Sequence, residues 1–184
     1  MKIFLCGVSC VGKSSIGTQL AQGLGYRFYD FDLEVERFYG KSIACLKSKF
    51  LTEYSFRKEA SIVLKKIIDE NRTNDFVVVL PPSGLHAPYH RLIRTTKGIV
   101  IVLSDTPENI LDRITFYDDD SNRIPKQLTE REKKLYLKEI RKDITYYKSF
   151  YKKADRHVDI AGLGISGSVE KIEELLRRKG GLDC

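Results

Sequence analysis

The sequence predicts an α/β fold, an open and doubly wound parallel sheet covered by helices on both sides in three layers. Three observations predict it. Apolar runs with strand character alternate with segments of helical periodicity along the whole chain. Two of those runs, 76–80 and 98–103, are uninterrupted, which suits strands buried on both faces of a parallel sheet. A glycine-containing turn joins the first run directly to the first helical segment.

Taken in order, Lys2-Ile3-Phe4-Leu5-Cys6 reads as a short buried strand, and 15–24 as a helix through Ile16, Leu20, Ala21 and Leu24. Gly23 and Gly25 end that helix, and 26–29 forms a second strand that stops at Asp30-Phe31-Asp32. Segment 33–39 is helical and closed by Gly40, a short helix follows over 42–46, and a long one opens at Thr52 and runs to about Glu70. After the run 76–80 and the run 98–103, Ser104-Asp105-Thr106-Pro107-Glu108 caps another helix, with Pro107 suited to a first turn. Thr129-Glu130-Arg131-Glu132 has capping-box form and opens a helix to about Lys153. Segment 156–160 is the last strand, and the terminal helix is expected over 168–178. Between two helices, 117–126 has no periodicity, and in a phosphate-binding fold such a segment is a candidate lid or a plain surface loop.

At 184 residues, the length suits one domain over 1–184 able to bury its own core. Hydrophobic residues make up 42% and charged residues 31%, and no apolar run is long enough to span a membrane. Met1-Lys2 leads straight into a strand, so no removable signal is expected and placement in the cytoplasm follows. The four cysteines, Cys6, Cys10, Cys45 and Cys184, form no C-x-x-C pair, which argues against zinc and disulfides. Cys10 is set apart by its place in the turn before a helix, where a thiol pKa can fall; an inert loop position is the preferred reading. The net charge of +7 calls for an anionic partner, but acids are interleaved with bases in stretches such as Glu130-Arg131-Glu132-Lys133-Lys134. That mixing suits solvated helix faces rather than a nucleic-acid track.

The chemistry starts at Gly7-Val8-Ser9-Cys10-Val11-Gly12-Lys13-Ser14, followed by Ser15, which fits G-x-x-x-x-G-K-[ST] in the strand–turn–helix context it requires. Backbone N–H groups without partners at a helix start, together with the helix dipole, favour an anion there. A nucleotide polyphosphate is the natural one, cradled by Gly7, Ser9, Cys10, Val11, Gly12, Lys13, Ser14 and Ser15. Lys13 would lie along the β- and γ-phosphates, and the Ser14 hydroxyl would sit on Mg²⁺.

Further features agree in order and spacing with one family. The N-terminal phosphate loop, Asp30-x-Asp32, the Gly40-x-Ser42-Ile43 turn, and Phe56-Arg57 followed by Glu59 together resemble the shikimate kinases. The strand Val100-Ile101-Val102-Leu103 with Pro107-Glu108 and Leu111-x-Arg113 is similar too. The resemblance implies a P-loop fold of the nucleoside-monophosphate-kinase-like type, with a five-stranded parallel sheet, an acceptor-binding helical segment about 32–62 and a lid about 116–128. It implies transfer of the γ-phosphoryl of ATP, with Mg²⁺, to a hydroxyl of a small carboxylated ring, by a monomer. Asp30 then matches the metal-side aspartate, and Asp32 the one that contacts the acceptor hydroxyl and acts as base. A helix N-cap is the plain alternative for Asp32. Arg57 matches the arginine that grips the substrate carboxylate, Arg123 occupies the lid arginine's place, and Gly84 falls at the acceptor wall.

Two departures stand out. Where the family carries three glycines, this chain reads Leu80-Pro81-Pro82-Ser83-Gly84, and prolines reproduce neither the N–H groups nor the backbone shape. Where the family places a second carboxylate-binding arginine, alignment on Ala154 puts Tyr146, and Phe150 follows in place of a tyrosine. Arg141, five residues before Tyr146, faces elsewhere on a regular helix. Loss of one charge-assisted contact costs about 2 kcal/mol, some thirtyfold in affinity. The donor half is therefore intact and the acceptor half rebuilt. The cluster Tyr146, Tyr147, Phe150 and Tyr151 reads as helix packing or as the lining of a different pocket. Acceptors other than shikimate (a sugar acid, a polyol, a nucleoside) stay open, as does a regulatory nucleotide-binding role.

Overall fold

A computed structural model describes residues 1–117, 123–124 and 127–180. Strand β1 (Lys2–Cys6) runs through a core in which Ile3, Phe4, Leu5 and Cys6 have no exposed surface. Helix α1 (Lys13–Leu24), strand β2 (Arg27–Asp30), and helices α2 (Phe31–Tyr39), α3 (Ile43–Lys47) and α4 (Glu53–Glu70) follow. Strand β3 (Phe76–Val79) leads into a 3-10 turn (Pro82–Leu85) and helix α5 (Tyr89–Thr95). Strand β4 (Ile99–Ser104), helix α6 (Pro107–Asp112), strands β5 (Phe116–Tyr117) and β6 (Arg123–Ile124), helix α7 (Glu130–Tyr151), strand β7 (Arg156–Asp159) and helix α8 (Ile165–Gly180) complete the order.

Five strands make one parallel sheet in the order β2-β3-β1-β4-β7, and helices cover both sides. The register aligns Leu5 with Val79 on one side and with Ile101 on the other. Every residue of β3 is buried, and so is every residue of β4 except Ser104, as expected of strands covered on both faces. The crossing from β1 through β3 to β2 on one side, and to β4 on the other, makes the chain diverge beside the end of β1. In an open α/β sheet, ligands bind at that divergence, outside the carboxyl ends of the strands.

The helix ends carry the caps that the sequence announces. Ser42, Thr52 and Thr106 each accept a backbone N–H, from Cys45, Ser55 and Asn109 respectively. Thr129 and Glu132 close a complete capping box at α7.

Three points depart from expectation. Helix α2 begins at Phe31 with Asp30 as its N-cap, so Asp32 lies in the first turn rather than at the cap. Helix α8 begins at Ile165, where a turn was expected up to residue 167. The stretch after β3 contains a 3-10 turn and a helix that periodicity did not announce, with Pro82 and Pro88 at their starts. Where 117–126 was expected to be a loop or lid, β5 and β6 form a two-stranded antiparallel ribbon that starts at Phe116, opposite Ile124. The rest of that segment, and the side chain of Arg123, lie outside the described residues, as does Cys184.

Candidate active site

The turn from β1 into α1 is built by its glycines. A Cβ on Gly7 would lie 2.7 Å from the Leu103 carbonyl oxygen and 2.9 Å from Val11 Cγ1, so no side chain fits. Gly12 takes φ +103 as the N-cap of α1 and offers no side chain to its first N–H groups. N–H groups left free at a helix start favour an anion. Lys13 curls back over the turn, its Nζ donating to the carbonyls of Gly7 (3.0 Å) and Val8 (2.8 Å). Burial holds its pKa below the ordinary lysine value, against the pull of Cys6, Asp32, Cys10 and Asp30. Burial likewise pushes the Cys10 thiol up, Lys13 only partly offsetting it, so the thiol is protonated at neutral pH. The inert reading of Cys10 fits that better than a low-pKa thiol.

Ser14 Oγ donates to Asp30 Oδ2 at 2.7 Å, which sets a hydroxyl and a carboxylate side by side at the edge of the cradle. Beyond Lys13 and Ser14 a cleft of about 520 Å³ extends between the start of α1, the segment 112–115 after α6, and the segment 160–168 after β7. Arg113 lines it, held by an ion pair to Asp105 at 2.5 Å and reaching the Val11 carbonyl at 3.4 Å. The Asp105 side chain is fully buried. Burial alone would raise its pKa, but hydrogen bonds from Asn109, Arg113 and the Thr106 N–H outweigh it and leave the carboxyl below its usual range.

A second cavity, of about 430 Å³, opens on the other side of the turn, lined by Ser9, Asp32, Glu53, Arg57 and Pro81 among others. Asp32 is open to solvent here but sits in a concave wall, and burial with the nearby Asp30 raises its pKa while Lys13 and Lys47 pull it down. Arg57 is 14% exposed and meets Glu53 at 3.7 Å; Glu53 meets Lys47 at 3.4 Å on its other side. One carboxylate thus lies between two cations in the wall of this cavity.

The two sequence departures lie in this cavity. Pro81, Pro82 and Ser83 line it, while Gly84 is buried behind them, where a Cβ would come within 2.6 Å of Leu80 Cβ and 3.4 Å of Cys6 Sγ. Tyr146 and Tyr147 face the cavity. Phe150 instead stacks on His86 with ring centroids 3.6 Å apart, and Tyr151 donates to the Pro82 carbonyl at 3.2 Å. The aromatic cluster of α7 therefore does both things, lining the cavity with two rings and bracing its wall with the others. Arg141 is tied to Glu108 at 2.8 Å and does not line the cavity.

Of the residues singled out in the sequence, the structure gathers Lys13, Ser14 and Asp30 at one place, and Asp32 and Arg57 at the adjoining cavity. Sequence reasoning missed Lys47, Glu53, His86 and Tyr89, all of which line that cavity. Ile43 and Lys47 stand four apart on α3 and both line it, a spacing that could have betrayed Lys47. His86 carries no such signal. Among the described residues no helix is long and apolar enough to cross a membrane, and no group of three or more His, Cys, Asp or Glu is placed to hold a metal.

Comparison with known proteins adds the context. A family model described as shikimate kinase matches residues 9–177. The shikimate kinase of Chlorobium phaeovibrioides is 37% identical over 113 residues, 61% of this chain and 55% of that protein, so this alignment spans about half the relative's length. The shikimate kinase of Chlorobium chlorochromatii is 30% identical over 182 residues, 96% of this chain and 90% of its own. Among solved structures, shikimate kinase from Acinetobacter baumannii in complex with shikimate superposes with a TM-score of 0.76 at 24% identity, covering 99% of this chain and 95% of that one. At that identity the superposition speaks to the fold.

Proposed function

The chain belongs to the shikimate kinase family, and we propose that it transfers the γ-phosphoryl group of ATP to a hydroxyl of shikimate or a closely related small hydroxylated acid. The observation that carries this reading is the position of Asp32. It lines the acceptor cavity while its carboxylate interacts with Lys13 of the phosphate cradle, so donor and acceptor chemistry meet at one residue.

Each residue then has a task. The cradle from Gly7 to Ser15 holds the β- and γ-phosphates, and Lys13 leaves its two carbonyls to neutralise them. The nucleoside half of ATP occupies the cleft beside Arg113. Ser14 Oγ and Asp30 Oδ2, 2.7 Å apart, are two hard oxygen ligands of the kind Mg²⁺ takes from a protein when phosphates and water complete its shell. That ion would supply positive charge against the phosphates. Asp32 orients the acceptor hydroxyl and takes its proton. Arg57 and Lys47 hold the acceptor carboxylate, Lys47 offering from α3 the cation that Tyr146 no longer offers from α7. Arg123, on the ribbon, is the candidate lid arginine, closing over the phosphates within a single domain, 1–184, that works as a cytoplasmic monomer. A neutral polyol is the second reading, favoured by Glu53, whose carboxylate already spans Lys47 and Arg57.

ADP release from Mg·ATP tests this, with shikimate set against a panel of hydroxy acids, polyols and nucleosides. Turnover with shikimate or a near analogue is expected. Turnover confined to polyols selects the second reading, and tight ATP binding without turnover on any acceptor overturns both.

A further inference from the structure

We infer that His86 is an acceptor-recognition residue, its imidazole Nε2 acting with the Arg57 Nε–H to hold a hydroxyl of the acceptor. The inference rests on the kinase reading above and names a specificity contact within it. Two observations carry it. His86 is 7% exposed and lines the acceptor cavity, and its Nε2 is buried with no hydrogen-bond partner among the described residues. Arg57 Nε, in the wall of the same cavity, is buried and unpartnered in the same way. Leaving a buried polar atom unmade costs about 1–3 kcal/mol, and native proteins rarely bear that cost without a reason. Two such atoms in one cavity call for one ligand group.

The ring is also too well held to be incidental. It stacks on Phe150, and the backbone N–H of His86 donates to the Ser83 carbonyl at 2.9 Å as the 3-10 turn ends. Burial lowers its pKa, and the positive charges of Arg57 and Lys153 lower it further, so the imidazole is neutral at physiological pH. A neutral imidazole and a guanidinium N–H in the lining of one cavity suit a hydroxyl. The hydroxyl oxygen accepts from Arg57, and it donates to or accepts from His86 in either tautomer. With the carboxylate at Lys47 and the guanidinium, the acceptor class is a small acid that also bears a hydroxyl within reach of His86.

The test compares wild type with His86→Phe, which keeps a ring on Phe150, and His86→Gln, which returns a polar atom near Nε2. Kinetics use shikimate and Mg·ATP; ¹⁵N NMR follows the histidine ring nitrogens, three histidines in all. In His86→Phe the KM for shikimate should rise about tenfold with the KM for ATP within about twofold of wild type, and His86→Gln should recover most of the loss. Addition of shikimate to wild type should shift the ring nitrogen signals that His86→Phe lacks. Turnover with an unchanged shikimate KM in His86→Phe, or a loss confined to kcat or melting temperature, overturns the inference and leaves the kinase reading standing. No turnover with shikimate or with any acceptor of the panel, but a shifted His86 signal, overturns the kinase reading and leaves the inference. Neither turnover nor a shift overturns both.

Discussion

Asp32 is pulled two ways. As a base it must be ionised, yet burial in the cleft and the neighbouring Asp30 raise its pKa above the 3.8 of a free side chain. The linkage follows from the sign. Because the folded-state pKa is raised, the neutral form favours the fold, and that stability is lost as pH climbs from the ordinary value through the raised one. Asp32→Asn, neutral at every pH, should therefore melt no lower than wild type at pH 7 while kcat falls about 100-fold or more, with ATP affinity unchanged. Thermal melts and steady-state kinetics on the same preparation check both halves. A variant with full turnover would remove Asp32 from the chemistry. In the unsubstituted protein the acid limb of kcat/KM should lie above the ordinary aspartate range, since the raised pKa is that of the group that must lose its proton.

Helix α1 is the element that links fold to site, because its N-terminus is the phosphate cradle and its body rests on the sheet. The contact is close at Gly17, where a Cβ would stand 2.6 Å from Val79 Cγ2, 3.1 Å from Phe28 Cε2 and 3.3 Å from Leu5 Cδ1. Gly17→Ala should overpack that seam at a cost of about 1–3 kcal/mol, lowering Tm by about 3–10 °C. Differential scanning calorimetry reads the shift, and an unchanged Tm would mean that the seam has room to give. The other elements that matter to the acceptor, the 3-10 turn and α7, are joined by Tyr151 and by the His86–Phe150 stack. Caps and apolar runs made most elements legible, since Thr52, Thr106 and Thr129 announce their helices from sequence spacing alone. The stretch from Pro82 to Thr95 was not legible, because its short helical pieces follow from prolines and burial rather than from any period.

At the scale of the whole molecule, nucleotide binding should appear as stability. A ligand that binds only the folded chain at about 100 times its Kd adds about 2.7 kcal/mol, which for a chain of this size raises Tm by about 5–10 °C. Mg·ATP should produce that shift in wild type and a much smaller one in Lys13→Ala; equal shifts in the two would displace Lys13 from the phosphate site. The sequence by itself determined the parallel α/β fold and carried the turn proposed to hold the donor. Those features are local: unbroken apolar runs, helix caps, and a phosphate turn whose ligating groups lie within a few residues of one another. Only the tertiary structure gathered the cavity proposed for the acceptor. Lys47, Arg57, His86 and Tyr146 come from α3, α4, the end of the 3-10 turn and α7 to share one cavity, and Arg141 is drawn off to Glu108. No spacing along the chain encodes that gathering. It follows from how the helices pack over the carboxyl ends of the sheet, which places side chains far apart in sequence within reach of a single small molecule.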